Sequence, residues 1–138
     1  MSLFNVFDIS GSAMGAQSLR MNLTASNLAN ADTVSGDEKN AYSSRQPVFS
    51  SIMNSMGNDS TASGVKMVAV VESQAKHNKR YEPGNPMANK EGYVFDSNVN
   101  IIEEMTNMIS ASRNYQNNVE IINTSKDMLM KTLKLGNG

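Results

Sequence analysis

From Ile101 onward, alternating steps of four and three residues meet Ile101, Met105, Met108, Ser112, Tyr115, Val119, Ile122, Lys126, Leu129 and Leu133, apolar at all but Ser112 and Lys126. That spacing lines up one face of a helix. Asn100 stands at the N-cap with Glu103 three residues on, in a capping-box arrangement, and Gly136 follows Leu135 at the far end, so start and stop are both marked. About 35 residues at about 1.5 Å each make a rod of roughly 50 Å. A compact domain of 138 residues has no need of such length, and a repeat near 3.5 calls for a second helix wound alongside.

The N-terminal segment supplies one. The same stepping gives Phe7, Gly11, Met14, Ser18, Met21, Ala25 and Leu28, large residues alternating with small ones that admit close approach, with Met filling irregular gaps. Asp8, Ser10 and Ser12 all qualify as its cap, and its periodicity stops in "NLANADTVSGD". Between the helices, "AYSSRQPVFSSIM" and "GVKMVAVVESQA" are β-prone runs separated by the polar "NSMGNDSTASG", a flexible connection. Pro83, Gly84, Pro86 and Gly92 then impose a bent, extended path back to the second helix. The expected organisation is an N-terminal core helix in 1–35, a β-rich middle in 36–97 and the long helix in 98–138. The fold class is mainly α with a small β-rich middle, the two terminal helices paired as an elongated antiparallel coiled-coil hairpin.

Only 6% of residues are aromatic and none is Trp, so one large core is thinly supplied with its best fillers and burial between chains is favoured. Ile102, Ile109, Leu23 and Met130 flank the two seams, and two helices alone leave such flanks bare. A net charge of −1 gives no field to gather nucleic acid or an anionic membrane. "VAVV" is too short to span a bilayer, and the first fifteen residues lack the basic and apolar regions of a cleavable signal. With no cysteine, thiolate metal sites and thiol nucleophiles are excluded. His77, the one histidine, lies in "QAKHNKR" without a ligand at useful spacing and is expected to be a solvated strand-end residue. Glu103 and Glu104 are adjacent, so they do not face one another on a helix; their place in the first turn suits the helix dipole. No enzyme, metal or cofactor signal follows from these residues, and neither a small-molecule substrate nor nucleic acid is expected.

Asn27 and Asn30 stand in the last turns of the first helix, where amide side chains compete with the backbone for hydrogen bonds.

Three stretches, "SLRMNLTASNLANADT" (18–33), the weaker "AYSSRQPVF" (41–49) and "YEPGNPMANKEGYVFDSNVNIIEEMTNMISASRNYQNNVEIINTSKDMLMKTLKL" (81–135), resemble the bacterial flagellar basal-body rod proteins, and within them the proximal rod. The resemblance implies a structural protein without catalytic activity. It implies terminal helices packed side by side in the walls of a hollow rod crossing the periplasm, the β middle outside, and export through the flagellar type III apparatus without a cleaved signal. The family resemblance of "SNLANADT" implies that Asn27 and Asn30 satisfy backbone groups where the first helix ends against a neighbouring subunit, fixing a register as a buried Asn does in a coiled coil. Where the family tends to have "HP" and "PNVN", this chain has Asn85 before Pro86 and Ser97 before "NVN", which predicts looser turns there.

The expected partners are further copies of the chain, other rod proteins and the export apparatus, with no insertion into membrane. The expected interface residues are Met14, Met21, Ala25, Asn27, Leu28, Asn30, Asn100, Met105, Met108, Tyr115, Val119, Ile122, Leu129 and Leu133. The alternative is a soluble helical-hairpin module that binds a separate protein and does not polymerise. The seam that reaches almost to the C-terminus suits a tube better than a single groove.

Overall fold

The structure is a computed structural model that describes residues 3–54 and 61–136. Helix α1, Leu3–Ala29, and helix α2, Ile101–Gly136, lie side by side in opposite directions. Asn27 near the end of α1 reaches Glu104 in the first turn of α2, and Arg20 reaches Asn107. At about 1.5 Å per residue the helices are roughly 40 and 54 Å long, so the last turns of α2 run past the start of α1. Ser125 is the last buried residue of α2, and residues 130–136 are all exposed.

Helix α2 starts where its cap predicts. The Asn100 side-chain oxygen accepts from the backbone N–H of Ile102 (3.1 Å) and of Glu103 (3.3 Å), satisfying two of the first-turn donors that a helix leaves open. Helix α1 starts earlier than any of its three expected caps, so Asp8, Ser10 and Ser12 are interior to it. The Ser12 hydroxyl donates to Ile9 O at 2.9 Å and accepts from Val65 N–H at 3.1 Å. Back-bonding to the preceding turn lets a serine sit mid-helix, and here the same oxygen ties the helix to a strand.

The two β-prone runs form an antiparallel hairpin, β2 (Arg45–Asn54) with β3 (Thr61–Glu72), registered from Arg45 opposite Glu72 to Asn54 opposite Thr61. The strands reach further into the polar connection than its composition predicts. Asn54 and residues 61–64 belong to them, and of the expected flexible segment residues 55–60 lie outside the described residues. A second sheet has β5 (Tyr93–Asp96) between β1 (Val34–Ser35) and β4 (Lys79–Tyr81), all antiparallel. These strands of two to four residues are too short to carry a readable alternation, and the segment that contains two of them reads by composition as a bent path.

The turn from β4 to β5 is tightly bonded. Asn85 donates to Glu82 Oε2 (3.1 Å) and accepts from Met87 N–H (2.9 Å); Ser97 is buried and donates to Ala31 O (2.8 Å). The two positions expected to be loose are thus pinned by their own side chains. Gly92, at φ +82°, closes the turn against Tyr81 and Pro83, a conformation that favours glycine.

Helix α1 lies between α2 and the hairpin: Ser12 meets Gly64 and Val65 on one side, while Arg20 and Asn27 meet α2 on the other. The apolar interior is slight. Among the described residues the buried hydrophobic side chains are Ala16, Ala41, Val94 and Ala111, and the largest fully buried ones are Val94 and Asn27.

Candidate interaction surface

Where α1 ends, α2 begins and β2 starts, the chain is joined by a polar cluster. Asn27, 1% exposed, bonds through both ends of its amide. Its Nδ2 donates to Arg45 O (2.9 Å) and Glu104 Oε1 (2.9 Å), with a longer bond to Ser44 Oγ (3.3 Å). Its Oδ1 accepts from Arg45 N–H (2.9 Å) and from the Tyr42 hydroxyl (3.0 Å). The amide thus meets both backbone groups of Arg45, as a neighbouring strand would. Ser44 adds a bond from Oγ to Glu104 Oε1 (3.1 Å), and its N–H donates to Asn98 Oδ1 (2.7 Å). Asn98 in turn donates to Ala75 O (2.8 Å), so the cluster ties both helices to the open end of the hairpin.

Glu104 is 4% exposed and has no ion-pair partner among the described residues. A buried carboxylate is costly unless hydrogen-bonded, and these donors provide the bonds. By position alone Glu104 suits the helix dipole and nothing sets Ser44 or Tyr42 apart, because no local signal marks residues that converge on one point from 15 to 77 positions apart. Within its own chain Asn27 satisfies the backbone N–H and C=O of Arg45. Asn30 bonds back to Ser26 O at 2.8 Å and closes the last turn of α1.

His77 departs from its expected solvated state. It is half-buried, with Nδ1 donating to Asp96 O (2.9 Å) and Nε2 at 3.3 Å from the Ser43 hydroxyl. The carbonyl can only accept, so the proton sits on Nδ1 and the ring bridges β5 to the segment before β2. Among the described residues no three His, Asp or Glu side chains group as metal ligands. The cleft beside the cluster mixes Arg20 and Arg45 with Glu103 and Glu104 and presents no single sign of charge to a ligand.

The helix faces carry the rest of the surface. On α2 the face toward α1 is Glu104, Met108, Ala111, Tyr115, Asn118, Ile122, Ser125 and Leu129, each buried or half-buried. It shares Met108, Tyr115, Ile122 and Leu129 with the expected seam but is turned by one position between them. Small and polar Glu104, Ala111, Asn118 and Ser125 face inward in place of Met105, Ser112, Val119 and Lys126. Met105 and Leu133 are 53% and 63% exposed, and Val119 is half-buried. On α1, Met14, Met21 and Leu28 are half-buried and Ala25 is exposed; Asn100 is exposed at its cap position. Of the flanking residues, Ile102, Ile109 and Met130 are exposed and Leu23 borders the hairpin beside Val70. The structure therefore leaves several apolar side chains of α2 bare, among them Ile102, Met105, Ile109, Met130 and Leu133.

Over 99% of its length the chain is 51% identical to 99% of the flagellar basal-body rod protein FlgC of Salmonella typhimurium strain LT2. The chain belongs to the FlgC family of flagellar basal-body rod proteins. The FlgC proteins of Escherichia coli O6:H1 and Yersinia enterocolitica are 52% and 46% identical to it, each over 99% of both chains. The sequence profile described as flagella basal body rod protein matches residues 7–36, and that of the flagellar basal body rod FlgEFG protein C-terminal matches residues 90–135. The two profiles cover α1 with its polar end and α2 with the strand before it, the segments that meet at Asn27 and Glu104. As a member of the FlgC family the chain is a structural rod protein and not an enzyme.

Proposed function

We propose that the chain is a self-assembling subunit of the proximal rod. Copies of it and other axial proteins pack their terminal helices into the wall of a periplasm-crossing shaft that transmits motor torque, after export through the flagellar type III apparatus without a cleaved signal. The observation that supports this reading is the division of α2 into two overlapping seams. The less apolar one, through Glu104, Ala111, Asn118 and Ser125, is used within the chain, while Ile101, Met105, Met130 and Leu133 remain 43–63% exposed. A wall of helices packed along their whole length resists twisting because each seam transfers load at every turn. In that wall the helix pair becomes a coiled coil, with Met14, Met21, Leu28 and the bare apolar side chains of α2 against neighbours.

The test is complementation. Expressed in Salmonella cells lacking their own FlgC, the chain is expected to restore motility. Val119→Asp should abolish it by placing an unpaired charge in the seam while the purified variant keeps the wild-type circular dichroism spectrum. Normal motility of that variant sets the seam aside.

A further inference from the structure

Two heptad rows, one on α1 that is exposed throughout and one on α2 that is partly exposed, match in a single register. The outward row of α1 is Asp8, Gly15, Asn22 and Ala29, all exposed. Leu19, 41% exposed, lies between Gly15 and Asn22, and a Cβ built on Gly15 meets nothing within 4 Å. The α2 flank that borders its face toward α1 is Met105, Ser112, Val119 and Lys126, exposed at its two ends and half-buried between. Each row holds one charge, of opposite sign, together with one polar residue and two positions of contrasting size.

We propose that the α2 flank of one copy is covered by the outward row of α1 from a second copy, antiparallel, with Asp8 against Lys126, Gly15 against Val119, Asn22 against Ser112 and Ala29 against Met105. Every level is complementary: ion pair, large on small, polar on polar, large on small. A slip of one heptad one way sets Asp8 against Val119 and Asn22 against Met105. A slip the other way sets Asp8 against Leu133 and Asn22 against Val119. Parallel alignment sets Asp8 against Met105 and Ala29 against Lys126. Each alternative desolvates a charge or an amide against an apolar side chain, which costs more than the ion pair itself contributes, so the charges choose the register by excluding the others. The rows lie on different faces of the chain and cannot meet within one copy. A contact between two different patches leaves one of each free on every pair and propagates. The inference rests on the assembly reading and specifies the contact.

The chain has no cysteine, so introduced thiols are the only ones present. At concentrations where the wild-type chain scatters light as multimers, Gly15→Cys/Val119→Cys treated with a short bismaleimide should give a ladder of covalent multimers. Gly15→Cys/Ser112→Cys, one heptad out, should give about a tenth as much or less. Asp8→Lys and Lys126→Asp should each raise the concentration for half-assembly about tenfold, and an equimolar mixture of the two should restore it, since each then meets an opposite charge on the other. Equal ladders from both cysteine pairs, a monomer bridged to itself, or no rescue on mixing overturns this register while wild-type scattering leaves the assembly reading standing. A wild-type chain that never scatters above monomer overturns the assembly reading as well.

Discussion

Replacing Asn27 by leucine keeps the branched shape, at a somewhat larger volume, and removes every bond of the amide. Arg45 then loses partners for its N–H and C=O, Tyr42 for its hydroxyl and Glu104 for one of its two donors. Buried groups left unsatisfied cost about 1–3 kcal/mol each, with partial relief by relaxation, so Asn27→Leu is expected to lower the unfolding free energy by about 3 kcal/mol, read as a fall in urea midpoint. Glu104 separates charge from acceptor. Glu104→Gln keeps an oxygen for Asn27 and Ser44 and should change stability by less than about 1 kcal/mol, whereas Glu104→Leu strands both donors and should cost about 2–3 kcal/mol. Gly36 is constrained by space alone: a Cβ there stands 2.6 Å from the Met87 carbonyl oxygen. Gly36→Ala should therefore lower the thermal midpoint by the equivalent of about 1–3 kcal/mol, because backbone must move. The importance of Asn27 was legible, since an amide misplaced for helix propensity signals a bond elsewhere. Its partner was not, because Ser44 and Glu104 come near only after folding.

At the scale of elements, α2 illustrates how period and phase differ in legibility. Its repeat, length and Asn100 cap follow from neighbours within a few residues, which is why they read correctly. Which side of the stripe faces α1 depends on the other helix. Two seams share Met108, Tyr115, Ile122 and Leu129, and hydropathy alone prefers the richer one, whereas close packing beside the Asn27 cluster selects the smaller side chains. Two neighbouring substitutions distinguish these sides. Ala111 is fully buried, and Ala111→Leu should overpack the helix interface and cost about 1–3 kcal/mol. Ser112→Leu, one position on, should leave monomer stability within about 0.5 kcal/mol and act on assembly instead. Chemical denaturation of both variants decides whether the phase is as described.

For the whole molecule, the polar junction lies at one end of the helix pair and the bare overhang of α2 at the other. Isolated helical turns without tertiary packing are marginal in water, so amide exchange in dilute monomer should be slow for residues 24–29 and 98–108 and fast for residues 128–136. The tail should gain protection only on assembly; a tail as protected as the junction in dilute monomer would show that it needs no neighbour. By itself the sequence determined the elements whose signals are local: two long helices of near-heptad period, the α2 cap, the two long β runs and a supply of large apolar side chains too small for a single core. Tertiary structure alone decided the early start of α1, the short strands β1, β4 and β5, the firm turns at Asn85 and Ser97, the two-sided anchoring of His77 and the inward turn of α2. Each of these depends on a hydrogen-bond partner or a packing surface distant in the chain, and a periodicity measured along one segment contains no term for the atoms that will stand opposite it.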